Sequence, residues 1–142
     1  MFPPYWGKAL DDMMELYNHV CAYSCFRIHP VTGGRSVDHL APKSQDWNRV
    51  YEWDNYRLAS TMLNSRKNKF GDALDPFDVQ NGWFVLELVG FQVLPAKGLD
   101  ELIRTQVEDT IDRLSLDDFR SSRERDAENY WTGKVSFDVL ME

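Results

Sequence analysis

The chain has 142 residues, of which 43% are hydrophobic and 13% aromatic, enough for one packed domain with an appended lobe. No apolar run approaches the length of a membrane span, which excludes an integral helical membrane protein and predicts a soluble one. The net charge of -7 argues against a strong general affinity for polyanions, yet it is unevenly spread: residues 1–70 hold nine Lys or Arg against seven Asp or Glu, and the rest seven against sixteen.

In chain order, residues 1–6 form an apolar lead-in. Residues 8–20 then predict an amphipathic helix with Leu10, Met13, Met14, Leu16 and Tyr17 largely on one side. Residues 21–29 and 35–39 read as two strands joined through Pro30 to Gly34, with Gly33 and Gly34 supplying the turn. Tyr56, Ala59, Met62 and Leu63 recur at three- and four-residue spacing, which predicts a helix over 54–66. Asp75, Pro76 and Phe77 begin a connection, and WFVLELV and FQVLPA flank Gly90 as a hairpin. Leu99, Ile103, Val107, Ile111 and Leu114 predict a helix over 99–114. A second helix starts near Leu116 behind a Ser115 cap and runs through RSSRERDAEN, and Trp131 and Phe137 are left to pack on the body or on a partner. There is no internal repeat or linker, and the terminal VLME carries no Gly or Pro stop signal, which is compatible with a longer protein.

The chemistry concentrates between Ser36 and Lys69. Hydrolysis of a phosphodiester needs a group that takes the proton of water and a charge that stabilises the phosphate and the leaving oxygen. His39 suits the first task, because an imidazole with an ordinary pKa near 6.5 is largely neutral at pH 7. Asp38 offers a carboxylate and Asn64 an amide carbonyl to a hard divalent cation, which takes few protein oxygens and keeps several waters. Neighbours on a strand point to opposite faces, but Pro42 and the polar run after it end the strand, where Asp38 and His39 can reach one pocket. Asn64 then faces back across a strand-loop-helix unit.

The three phrases VDHLAPKS, WDNYRLAS and LNSRKN, in that order, resemble the HNH endonuclease family, whose ββα-metal motif runs as Asp-His at a strand end, a middle Asn and a final Asn or His on a helix. The likeness covers about a quarter of the chain, which is especially similar to HNH domains that carry Asp-His first and Asn last, including that of the RNA-guided nucleases. It implies an α+β fold with an HNH ββα-metal core, an N-terminal helix and a C-terminal extension of a hairpin and helices. By the same resemblance His39 is the general base, Asp38 and Asn64 hold one Mg2+ or Mn2+, and Asn55 ties the loop to the motif. Lys43, Arg57, Arg66 and Lys67, with Lys69 beside them, would approach the DNA backbone. The activity implied is metal-dependent cleavage of DNA; the alternative is a non-catalytic nucleic-acid-binding or assembly module on the same scaffold.

Many HNH proteins carry a zinc held by two CxxC pairs. Here only Cys21 and Cys25 are present, in CAYSC; flanking His19 and His29 could complete a site, but a strand with small apolar thiols is the preferred reading and no structural zinc is expected. Two cysteines and no signal peptide point to a reducing cytoplasm. The domains expected are a nuclease core over 1–75 and an α+β extension over 76–142, packed on the core and carrying a partner-binding surface. The order LDPF, WFVLEL, GFQVLPA and VEDTIDRL is similar to small HNH proteins paired with an ATPase in bacterial anti-phage defence, of the Septu and retron-associated type. That second likeness implies an ATPase partner, and the acidic second half suits a docking role.

Overall fold

A computed structural model describes residues 3–29, 31, 34–67 and 73–137. These form a mixed α+β chain with four α-helices and two separate two-stranded antiparallel sheets. They fall into two compact units, Met1–Phe77 and Asp78–Glu142. Phe77 belongs with the first because its ring lies 4.1 Å from the Arg57 guanidinium and 6.0 Å from the Tyr17 ring. No helix among the described residues is long and apolar enough to cross a membrane.

In the first unit, a 3-10 turn at Tyr5–Ala9 leads into α1, Leu10–Leu16, which buries Met13 and Met14. The helix is shorter than the sequence pattern predicts. Asn18 and His19 both take left-handed backbone angles, which end it, and Leu16 stays exposed. The strand expected over 21–29 does not form. A third left-handed residue, Cys25, folds the segment back on itself, leaving a single bridge between Val20 and Arg27. This loop instead lies along the outer edge of the sheet, where the Ala22 N–H donates to the Leu58 carbonyl at 2.9 Å.

Strand β1, Arg35–His39, follows as expected, but its partner is β2, Tyr56–Ser60, where the spacing had predicted helix. The register sets Asp38 opposite Arg57 and His39 opposite Tyr56. Helix occupies only α2, Thr61–Lys67. The Ser60 hydroxyl caps it by accepting from the Leu63 N–H at 3.3 Å, and Gly34 lies against its first turn with the Gly34 carbonyl accepting from the Thr61 N–H at 2.8 Å. A Cβ at Gly34 would fall 3.2 Å from the Thr61 Cβ and collide with its hydroxyl, so the close approach requires glycine. Both α1 and α2 pack on β1 and β2 around Val37, Leu58, Ala59 and Leu63. The Gly33 turn and Lys69 lie outside the described residues.

In the second unit, β3, Phe84–Leu86, pairs with β4, Val93–Pro95, as the hairpin pattern predicts. The Glu87 carboxylate holds the turn by accepting from the N–H groups of Val89 and Gly90. Helix α3, Glu101–Leu114, packs on β4, and its apolar stripe buries Val107, Ile111 and Leu114. Asp100 caps its start by accepting from the Ile103 N–H at 2.9 Å. Ser115, expected to cap the next helix, instead takes a left-handed conformation that closes α3 and makes no side-chain cap. A 3-10 turn at Leu116–Phe119 then leads into α4, Arg120–Trp131, which buries none of its residues. The Phe137 ring meets Tyr130 at 6.4 Å, while Trp131 stays 82% exposed. The VLME end lies outside the described residues.

Candidate active site

Asp38 and His39 are the last two residues of β1, and their side chains have different neighbours: Asp38 meets Tyr23 and Lys67, His39 meets Trp6, Val50 and Tyr56. The chain leaves the strand through Leu40 and Ala41, and Asn55 fixes that exit. Its side-chain carbonyl accepts from the Ala41 N–H at 2.8 Å, and its amide nitrogen donates to the carbonyls of Ala41 and Arg49 at 3.3 and 3.0 Å. With no exposed surface, Asn55 ties Ala41 and Arg49 of the loop over 40–55 to the start of β2.

His39 is buried, and its Nε2 lies 3.0 Å from the Val50 carbonyl. A carbonyl only accepts, so Nε2 carries the proton and Nδ1 holds the lone pair. The same carbonyl accepts from the Tyr56 hydroxyl at 3.0 Å. The imidazole is gripped edgewise by Trp6 and Tyr56, with ring centroids at 5.1 and 5.3 Å. Burial holds its pKa below the ordinary value, the Lys43 and Lys67 cations push the same way, and the Val50 carbonyl and Asp38 oppose them. His39 is therefore neutral at pH 7, the state a general base requires.

Asp38 is 3% exposed and its carboxylate is matched by a cation from the protein itself. The Lys67 ammonium, 1% exposed, sits 3.0 Å from Oδ2 and donates also to the His39 and Leu40 carbonyls at 3.1 and 3.2 Å. The Tyr23 hydroxyl donates to the same Oδ2 at 2.5 Å. Burial first, and then the Asp38 charge, push the Tyr23 pKa well up, so the phenol keeps its proton and remains a donor. Lys67 thus pins the last turn of α2 to the end of β1, using all three ammonium hydrogens.

Asn64, on α2, turns its amide nitrogen onto β1, donating to the Ser36 hydroxyl at 2.9 Å and the Val37 carbonyl at 3.2 Å. Its carbonyl oxygen is the end that can serve a cation. A carboxylate, an amide carbonyl, waters and phosphate oxygens are the donors a hard divalent ion takes, so Asp38 and Asn64 fit such an ion in kind. Among the described residues no three His, Cys, Asp or Glu side chains converge. Any ion here would depend on substrate and water oxygens, and it would share Asp38 with Lys67.

The basic residues expected to meet DNA divide sharply. Arg57 is 3% exposed and forms a two-pronged pair with Asp75, at 2.7 and 2.5 Å, while donating to the carbonyls of Asp54 and Tyr56. This guanidinium fastens the segment before Phe77 to β2, and its burial removes it from any backbone contact with DNA. Lys67 is withdrawn in the same way. Lys43 is half-buried with its ammonium 3.3 Å above the Trp6 ring, and Arg66 is half-buried at the end of α2. Cys21 is buried with its Sγ accepting from the Ser60 N–H at 3.4 Å, and Cys25 is exposed.

Sequence reasoning missed Tyr23, the Val50 carbonyl and Trp6. The placement of Lys67 was within reach: it stands three residues after Asn64, which on a helix puts both on one face. Tyr23 gave only the weak signal that a phenol in an apolar stretch needs a polar partner. Compared with models of known protein families and with curated proteins, the chain matches none.

Proposed function

We propose that the chain is a metal-dependent endonuclease of the HNH type acting on DNA, with His39 as general base. The reading rests above all on one observation: a strand ending in Asp38–His39 presents an imidazole that is neutral, fixed in one tautomer by the Val50 carbonyl, and left with Nδ1 to accept a proton. The order β1, β2, α2, with the Asn64 amide turned onto β1, suits a ββα-metal core.

In this mechanism Nδ1 of His39 takes the proton of the attacking water, and the grip of Trp6, Tyr56 and Val50 keeps the ring from turning. Asp38 and Asn64 hold one Mg2+ or Mn2+, which when bound offsets the charge developing on the phosphate and the leaving oxygen. Asn55 keeps the loop in register, so that His39 meets water at a fixed height above the strand end.

One observation favours the non-catalytic alternative. The Lys67 ammonium already neutralises Asp38, as in a site whose carboxylate serves the fold alone. A supercoiled-plasmid assay separates the two. Nicking that needs Mg2+ or Mn2+, stops with EDTA and is lost in His39→Ala supports the nuclease. Undiminished cleavage by His39→Ala refutes the assigned base, and no cleavage by either protein, alone or with co-purifying chains, favours the scaffold.

A protein partner is part of the proposal. The β3–β4 hairpin leaves Val85, Leu86, Leu88, Val89 and Leu94 exposed, an apolar surface of the kind that protein partners cover, and an ATPase of a bacterial anti-phage system is the partner we assign to it.

A further inference from the structure

Beside His39 the first unit opens a recess of about 430 Å³ whose wall is largely aromatic: Tyr5, Trp6, Tyr51, Trp53 and Tyr56 line it. That volume lies in the range of small-molecule sites. Tyr5, Tyr51 and Trp53 are 58, 44 and 50% exposed, large rings held at the surface instead of in the core. They are ordered among themselves. Trp6 and Tyr51 stack with planes 26° apart at 6.2 Å, Tyr5 leans on Tyr51 at 5.9 Å, and the Tyr51 hydroxyl donates to the Pro3 carbonyl at 2.9 Å.

Lys8 lines the recess with its ammonium 5.3 Å from the Tyr5 centroid, Asp12 is an acid on the wall, and the Lys43 ammonium lies 3.3 Å over the Trp6 ring without lining the recess itself. Two lining rings, Trp6 and Tyr56, are the same rings that grip the His39 imidazole. A flat aromatic ligand in the recess would therefore lie one ring away from the base, with cations at its edge for a phosphate. Exposed π-faces beside ammonium groups are the pattern that binds unpaired nucleobases, which stack without regard to sequence, whereas a paired base hides its faces in the duplex.

We propose that this recess is a stacking site for an unpaired base of single-stranded DNA, which places the phosphate beside that base at His39. The inference rests on the nuclease reading for its consequence, but the binding itself does not need cleavage. Single strands, frayed ends or a base drawn out of a duplex are then the preferred substrates, with stacking on the rings as the main source of affinity.

The test is fluorescence anisotropy on the full chain in EDTA, which prevents hydrolysis, with a labelled oligothymidylate, an abasic strand of the same length and a duplex of the same length. The oligothymidylate should bind tightest. Trp53→Ala should weaken it by about ten-fold or more and leave the abasic strand unchanged. Tyr5→Ala should act in the same direction, and Trp53→Phe, which keeps a ring, should retain most of the affinity. Both positions are exposed, so the variants should fold, and a circular dichroism melt checks this. Equal binding of the abasic strand, no effect of either alanine variant, or no binding of any strand would overturn the assignment. Duplex cleavage that needs His39 without any single-strand preference would discard the recess and keep the nuclease. Base-dependent binding without metal-dependent cleavage would do the reverse.

Discussion

Replacing Lys67 by Met tests whether the buried ammonium is what holds the Asp38–His39 end of β1 in place. Lys67 is 1% exposed and its closest partner, Asp38 Oδ2, is 3.0 Å away. Methionine fills similar volume, so the change removes charge and hydrogen bonds more than packing. Among the described residues it leaves the Asp38 carboxylate with Tyr23 as its remaining partner and strips a donor from the His39 and Leu40 carbonyls. Breaking a buried ion pair from one side costs about 3–5 kcal/mol, because an uncompensated charge stays behind. For a unit the size of Met1–Phe77 each kcal/mol moves Tm by about 4–8 °C, so a drop of about 12 °C or more is expected. Urea unfolding and a thermal melt followed by circular dichroism measure both. Adding Asp38→Asn to Lys67→Met removes the stranded charge and should recover part of the loss. A loss under about 1 kcal/mol for Lys67→Met, or no recovery in the double variant, would refute the reasoning.

The remaining predictions concern the base, the loop and the second unit. Because burial lowers the His39 pKa, the acid limb of any cleavage profile should have its midpoint below 6.5, and a midpoint above that value would contradict the buried, neutral imidazole. The same shift contributes stability that is full above 6.5 and is lost as pH falls through the lowered folded value, so His39→Ala should flatten that part of a stability-versus-pH curve. Asn55→Ala should cost about 3 kcal/mol in urea unfolding, since it leaves buried backbone groups of Ala41 and Arg49 without partners. Asp100→Ala should cost about 1 kcal/mol by loss of the α3 cap, with no effect on His39-dependent cleavage.

The sequence and the molecule agree where one face of an element meets water. The β3–β4 hairpin is marked by aromatic and β-branched runs on both sides of Gly90, and α3 shows a clean apolar stripe, so both were legible. Strand β2 was not, because Tyr56, Arg57, Leu58 and Ala59 are all buried. Helices cover the sheet and Asp75 neutralises Arg57, so the alternation that marks a strand is erased, and Tyr56, Ala59 and Leu63 happen to keep a helical interval. The segment 21–29 fails for a different reason: its apolar residues read as a strand, but the left-handed angle at Cys25 folds the chain back on itself. In the candidate site, Asp38, His39, Asn55 and Asn64 were singled out by their types and order alone. The roles of Tyr23 and Lys67 depend on which buried groups face Asp38, and the Val50 carbonyl belongs to the backbone, so residue type gives no hint of it.

The contrast between the two thiols turns the loop that carries Tyr23 into something that can be watched. Cys21 is 1% exposed, whereas Cys25, four residues further along, is open to solvent. A maleimide dye should attach to Cys25 alone and report from the segment whose phenol holds Asp38. Its emission would then report in real time whether a divalent ion or a nucleic acid reaches this end of the first unit, with no engineered cysteine and no change to Asp38, His39, Asn55 or Asn64.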